Sequence, residues 1–274
     1  MLQVKTRKSD RLSGITSNIF LVCICLILFG FITLPLLVIF LNIDPLQIGR
    51  QLSNPEIVDA LVIGLETSSL ATVASMLLAI PTAYLLATRE FRGRILVETV
   101  LDIPLVLPPA VAGLALLLAL APRGILGPIL YRLGIILPGS MLAVILAQIF
   151  VASTFTLRSS KTAFENVDRQ LVNNARLFTN SRLRIFWTIT LPLARNGIIS
   201  GIIMTWARSM GEFGATLLFA GNLPGITQTM PLAIYMLMVA DPMASNVLSA
   251  ILIGVSFMIL ILFKLFNQRK VAEV

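Results

Sequence analysis

Two opposite charges lie inside an apolar segment. Arg208 and Glu212 belong to the stretch WARSMGEFGATLLFAGNLPGITQTMPLAIY, from Trp206 to Tyr235. Four residues apart, they are expected to meet on one helix face. Charges within a membrane segment are costly and usually face the interior of a bundle. Gly211 and Gly214 bracket Glu212 and Phe213, so another helix or a substrate could approach the backbone there. Arg208, Gly211, Glu212, Phe213 and Gly214 are therefore expected at a pathway or gate; the alternative is a structural ion pair that fixes helix packing. Other chemistry finds no footing. The chain has no His. Cys23 and Cys25 lie two apart in an apolar run, without further zinc ligands and badly placed for a disulfide with each other. No G-x-x-x-x-G-K-[ST] loop occurs, so the chain has no Walker-type phosphate loop of its own. The Arg–Glu pair has no nucleophile or metal ligand beside it. No catalytic residue, metal site or cofactor is assigned, and an intramembrane enzyme is set aside.

The second constellation is ENVDRQLVNNARLFTNSRLRIFWTITLP, residues 165–192, between two long apolar segments. It carries Arg169, Arg176, Arg182 and Arg184, with Arg158 and Lys161 just upstream. Leu171, Ala175 and Phe178 recur at helical spacing, which predicts a short helix with one apolar stripe; Asn173, Asn174 and Arg176 lie off it. A short amphipathic helix beside a membrane domain can enter a groove on a soluble partner. In the turn Thr179-Asn180-Ser181 that follows, Asn180 is the residue best suited to a left-handed cap.

These residues need a bilayer to position them. Hydrophobic residues make up 57% of the 274, and charged ones 12%. Apolar runs at 19–41, 58–88, 98–120, 141–157, 193–219 and 247–266 predict six membrane helices in a single membrane domain, all-α, with the loop 158–192 outside the membrane. The run 19–41 is too long for a cleaved signal. Span 2 is rich in Ser, Thr and Ala, which lets membrane helices pack closely. Pro104, Pro108 and Pro109 break the third span, and an irregular joint survives in a membrane only inside protein or beside water. Residues 230–240 are apolar but too short to span, as an interfacial or re-entrant helix would be.

The net charge of +8 reports topology. With six spans, one side holds Lys5, Arg7, Lys8, Arg11, Arg89, Arg92, Arg94, Arg158, Lys161, Arg169, Arg176, Arg182, Arg184, Lys264, Arg269 and Lys270. The other holds only Arg50, Arg123 and Arg132. That asymmetry places both termini in the cytoplasm. The basic residues sit in short loops rather than on one patch, which argues against nucleic acid.

Three stretches resemble the permeases of ABC transporters. Ile189-Thr190-Leu191-Pro192 matches the end of the cytoplasmic "EAA" loop of that family. Asn173, Asn174 and Ala175 stand at its Glu-Ala-Ala positions and Thr179 at its Gly, so only Ala175 keeps the pattern's residue there. Phe91-Arg92-Gly93-Arg94 with the run IPLVLPP at 103–109 resembles the molybdate and sulfate branch. Gly211 to Thr216, then Gly221-Asn222, Pro224-Gly225, Thr227-Gln228-Thr229 and Pro231, resemble the molybdate permeases. Together these cover roughly residues 58–235.

The resemblance implies a type I ABC importer permease fold in a bacterial plasma (inner) membrane. It implies a homodimer with the pathway between two copies and a periplasmic or lipid-anchored oxyanion-binding protein. Two ATPase subunits, which bind the ATP, would dock on the helix holding Leu171, Asn173, Asn174, Ala175, Arg176, Phe178 and Thr179. Molybdate is the expected substrate, with sulfate or tungstate as alternatives. An ion-coupled secondary transporter would also explain broken helices and an intramembrane ion pair.

Overall fold

A computed structural model describes residues 3–43 and 45–271, with side chains placed for 20–43, 46 and 48–261. The side chains of Lys5, Arg7, Lys8, Arg11, Lys264, Arg269 and Lys270, used above to orient the chain, lie outside those described. All the described secondary structure is helical. The chain divides into two compact units, 1–48 and 49–274.

The first unit is essentially one helix, α1 (Gln3–Leu41). Its segment Phe20–Leu41 has a mean hydropathy of 3.0, as a lipid-immersed helix requires. Helix α2 (Pro45–Leu52) spans the boundary between the units.

The second unit begins with α3 (Pro55–Thr88), opened by Asn54, whose side chain accepts the Glu56 N–H at 3.1 Å. Then come α4 (Arg94–Val106), α5 (Pro109–Leu120), α6 (Gly127–Arg132) and α7 (Met141–Glu165). The loop helix α8 (Arg169–Arg176) and the short α9 (Arg182–Ile185) follow. A π turn over Phe186–Thr190 feeds α10 (Leu191–Met210), then α11 (Gly214–Phe219), α12 (Met230–Ala240) and α13 (Pro242–Val271). Pro192 has no N–H to return to the preceding turn, and that turn is wound wide as a π turn.

Helices α3, α7 and α10 form the centre, and small residues let them approach. A Cβ on Gly197 would stand 2.5 Å from the Ala163 Cβ, and one on Gly201 2.8 Å from the Ser159 Cβ. Buried hydroxyls bridge the seam: Thr156 Oγ1 lies 2.6 Å from Thr205 Oγ1, and Ser159 donates to the Gly197 carbonyl at 2.6 Å. Without water, each such group needs a protein partner.

Among the described residues, four helices are long and apolar enough to cross a membrane: Phe20–Leu41, Pro55–Thr88, Met141–Glu165 and Pro242–Ile261. The pair α4 and α5, bent by 115°, would make a fifth. Helix α10 has the length, but Arg195 and Arg208 lower its hydropathy. The continuous helix expected over 193–219 is divided, because α10 stops at Met210 and α11 starts at Gly214.

Candidate functional site

The two broken helices are packed break to break. The Pro108–Pro109 joint sits under the start of α11: a Cβ on Gly214 would stand 3.0 Å from Pro109 Cβ and 3.2 Å from the Ala110 nitrogen. A Cβ on Gly113 of α5 would meet the Ala215 carbonyl oxygen at 2.7 Å and its Cα at 2.8 Å. Irregular backbone in each span is thus shielded by the other.

Glu212 closes this arrangement from within. It lies past the end of α10, so the pair does not share a helical face as the four-residue spacing led us to expect. The chain turns at Gly211, and the carboxylate folds back. Arg208 Nη1 is 2.7 Å from Glu212 Oε2, with 29% of the Arg208 side chain exposed and 1% of the Glu212 side chain. The guanidinium N–H is not aligned on Oε2, so this contact is a charge pair rather than a hydrogen bond. Oε1 accepts the Ala215 N–H at 2.8 Å. One carboxylate therefore neutralises α10's last cation and accepts one of the otherwise unpaired N–H groups that open α11.

The other residues read from sequence at this site separate. The Phe213 ring lies 5.2 Å from that of Tyr235. Gly211 is exposed, with room around it for a side chain. Sequence reasoning missed Gln148. Fully buried on α7, it donates to Thr67 Oγ1 at 3.2 Å and to the Ser209 carbonyl at 3.1 Å, tying α3, α7 and α10 together beside the break. Its signal was an amide side chain in the apolar first half of span 4, MLAVILAQIFVA.

The loop helix forms as the pattern predicts, capped by Asp168, which accepts the Gln170 N–H at 2.8 Å. Its register differs. Helix α8 ends at Arg176, so Phe178 lies beyond it, and the residue packed on the bundle is Val172, against the cluster of Ala79, Leu86 and Phe164. Leu171, Asn173, Asn174 and Arg176 are exposed, and Ala175 is half-buried. Arg176 donates to Asn173 Oδ1 at 3.4 Å. The residues that project most are Leu177 and Phe178, 82% and 89% exposed. Asn180 is not a left-handed cap, since no described non-glycine residue has positive φ. The turn is built on hydroxyls: Thr179 Oγ1 accepts the Ser181 N–H, and Ser181 Oγ accepts the Arg184 N–H, both at 3.3 Å.

An ionic cluster, also missed, joins α4 to the end of α7 that leads into this loop. Arg94 contacts Glu98 at 2.7 Å and Glu165 at 3.1 Å. Lys161 contacts Glu98 at 3.0 Å and Glu165 at 3.6 Å. Arg158 holds both oxygens of Asp102 at 2.7 Å, the bidentate geometry suited to a guanidinium.

Residues 75–271 match the family described as the binding-protein-dependent transport system inner membrane component. The chain belongs to this family. It is a multi-pass membrane permease component.

Over 233 residues, 84% of this chain and 88% of the relative, it is 36% identical to the molybdenum transport system permease protein ModB of Mycobacterium bovis. Over 187 residues, 68% of this chain and 81% of the relative, it is 42% identical to ModB of Escherichia coli K12. The molybdate/tungstate transport system permease protein WtpB of Pyrococcus abyssi is 35% identical over 192 residues, 69% of this chain and 72% of the relative. Among solved structures, a bacterial ABC transporter involved in import of the acidic polysaccharide alginate superimposes with a TM-score of 0.75. It covers 97% of this chain and 99% of that one, at 16% identity. At that identity the likeness shows the fold, that of ABC importer permeases.

Proposed function

We propose that this chain is the permease subunit of an ATP-driven molybdate importer. What carries the reading is the agreement of two observations. The relatives named for molybdenum transport match over most of both chains. The structure also packs the two broken spans against each other with a buried charge pair at their joint.

In this reading two copies enclose the pathway, in a single membrane domain of six spans with both termini cytoplasmic. Two ATPase subunits dock on α8, with Leu177 and Phe178 as the projecting apolar contacts. An oxyanion-binding protein delivers the anion on the far side. The permease itself offers path and gate. Residues 208–214 are assigned to the gate because they form the irregular joint between two helices, and such a joint is held in a membrane only inside protein or beside water.

Substrate choice lies mainly with the binding protein. Molybdate, tungstate and sulfate are all tetrahedral dianions. Discrimination among them needs a closed set of fixed donors that a wrong bond length leaves unpaired. Uptake of labelled molybdate by vesicles carrying the complete complex tests the assignment. Excess unlabelled molybdate and tungstate should both compete. Competition by sulfate alone would overturn the substrate and leave the permease reading standing.

A further inference from the structure

A cleft of about 970 Å³ opens where α3, α7, α8 and the π turn meet. Its wall is apolar and aromatic. Tyr84 of α3 packs edge-on against Phe164, ring centroids 5.4 Å apart, and against Phe186, 4.7 Å apart. Leu77 also lines the cleft and is 72% exposed; beside it on α3, Leu78 is 64% exposed. The apolar end of the cleft therefore runs out onto the outer face of a membrane-spanning helix. The other end is cationic. Arg89, Arg169 and Arg182 line it and form no ion pair among the described residues. Glu165, also in the lining, is already held by Arg94 and Lys161, which leaves Glu90 as the one unpaired carboxylate.

We propose that this cleft binds one anionic phospholipid, with its phosphodiester on the arginine rim and an acyl chain along Leu77. The inference uses the membrane placement given under Proposed function, but not the identity of the transported anion. Charge and shape both support it. A basic pocket between membrane helices on the cytoplasmic side suits an anionic headgroup, and arginine matches phosphate oxygens in pairs. A free anion would have no use for the aromatic wall. An acidic protein segment would have no use for the opening onto the exposed apolar side of α3. Trp187, 64% exposed, also lines the cleft, where an indole suits the headgroup level.

Trp187 supplies the test. The only other tryptophan is Trp206, so a Trp206→Phe chain has a single fluorophore. The full chain, in nanodiscs, is titrated with phosphatidylglycerol or phosphatidylcholine carrying brominated acyl chains, at equal mole fractions. Brominated phosphatidylglycerol should quench Trp187 at roughly tenfold lower mole fraction than brominated phosphatidylcholine. Arg89→Gln with Arg182→Gln should erase that preference while leaving quenching by phosphatidylcholine unchanged, which shows the fold intact. Arg89→Lys with Arg182→Lys should keep most of it. Equal quenching by the two lipids, or a preference that survives the glutamine pair, overturns the proposal. So does loss of the preference on adding inorganic phosphate, which would mark a free-anion site, or on adding the purified ATPase subunits, which would mark a partner surface. No transport is read, so a chain that carried a different anion would still show the preference.

Discussion

Glu212 has 1% of its side chain exposed and one cation beside it, Arg208. Glu98, in the α4–α7 cluster, has 24% exposed and two cations, Arg94 and Lys161. Both carboxylates hold broken spans in place, but their surroundings give them different weight. Glu212 has neither water nor a second cation to turn to, so its pair has one arrangement and high stakes. Glu98 shares Arg94 and Lys161 with Glu165, and all four stand partly in solvent, so losing one contact leaves others. The buried pair fixes the break between α10 and α11. The exposed cluster lets α4 shift against α7 at small cost, which suits the end of the bundle next to the loop helix.

Removing the buried carboxylate is the harshest way to test that contrast. Glu212→Ala abandons a half-buried guanidinium and uncaps α11, and should destabilise the protein by about 3 kcal/mol. Denaturant unfolding in detergent would measure it. Glu212→Gln keeps an acceptor for the Ala215 N–H and should cost less. Arg208→Gln combined with Glu212→Gln should fall short of the sum of the two single changes by about 1 kcal/mol or more. Strict additivity would show that the two charges are not coupled, whatever their separation.

The same break can be attacked from α5 without touching a charge. Gly113→Ala places a methyl 2.7 Å from the Ala215 carbonyl oxygen and 2.8 Å from its Cα. Both are backbone atoms and cannot rotate away, so α11 must move off α5, at a cost of about 1–3 kcal/mol. Because Ala215 also donates to Glu212, that cost should be smaller in a Glu212→Ala background, which lacks that acceptor. An unchanged cost would mean that the proline joint and the ion pair hold the break independently.

How much of this could be read from the chain depended on the range of the determining contact. The bend in the third span was legible, because Pro104, Pro108 and Pro109 act on their own backbone. So was the presence of α8, whose polar and apolar positions alternate locally. Which way α8 faces was not. Leu171, Ala175 and Phe178 make a plausible stripe, but eight residues also allow Val172 to turn inward, and docking on Leu86 and Phe164 decides between them. The break at Gly211 was hidden for a related reason. Arg208 and Glu212 at four-residue spacing suit a continuous helix, and only the packing of Gly214 on Pro109 ends it. The contacts that join α4 to α7 were beyond reach, since partners such as Arg158 with Asp102 and Arg94 with Glu165 lie 56 and 71 residues apart. No local pattern pairs Arg158 with Asp102.

That last pair marks the mild end of the contrast. Arg158 and Asp102 have good bidentate geometry, yet their side chains are 53% and 31% exposed. Water already solvates both, so forming the pair displaces little and gains little. Asp102→Asn should cost under about 1 kcal/mol and be partly masked by salt. The comparison is sharpened by running Asp102→Asn and Glu212→Gln side by side in low and high salt. Salt should narrow the gap between wild type and Asp102→Asn but leave that for Glu212→Gln nearly unchanged, because mobile ions cannot reach a carboxylate with 1% exposure. If Asp102→Asn proved as damaging as Glu212→Gln and equally insensitive to salt, the α4–α7 joint would be as rigid as the break. The division into one fixed and one adaptable ionic site would then fail.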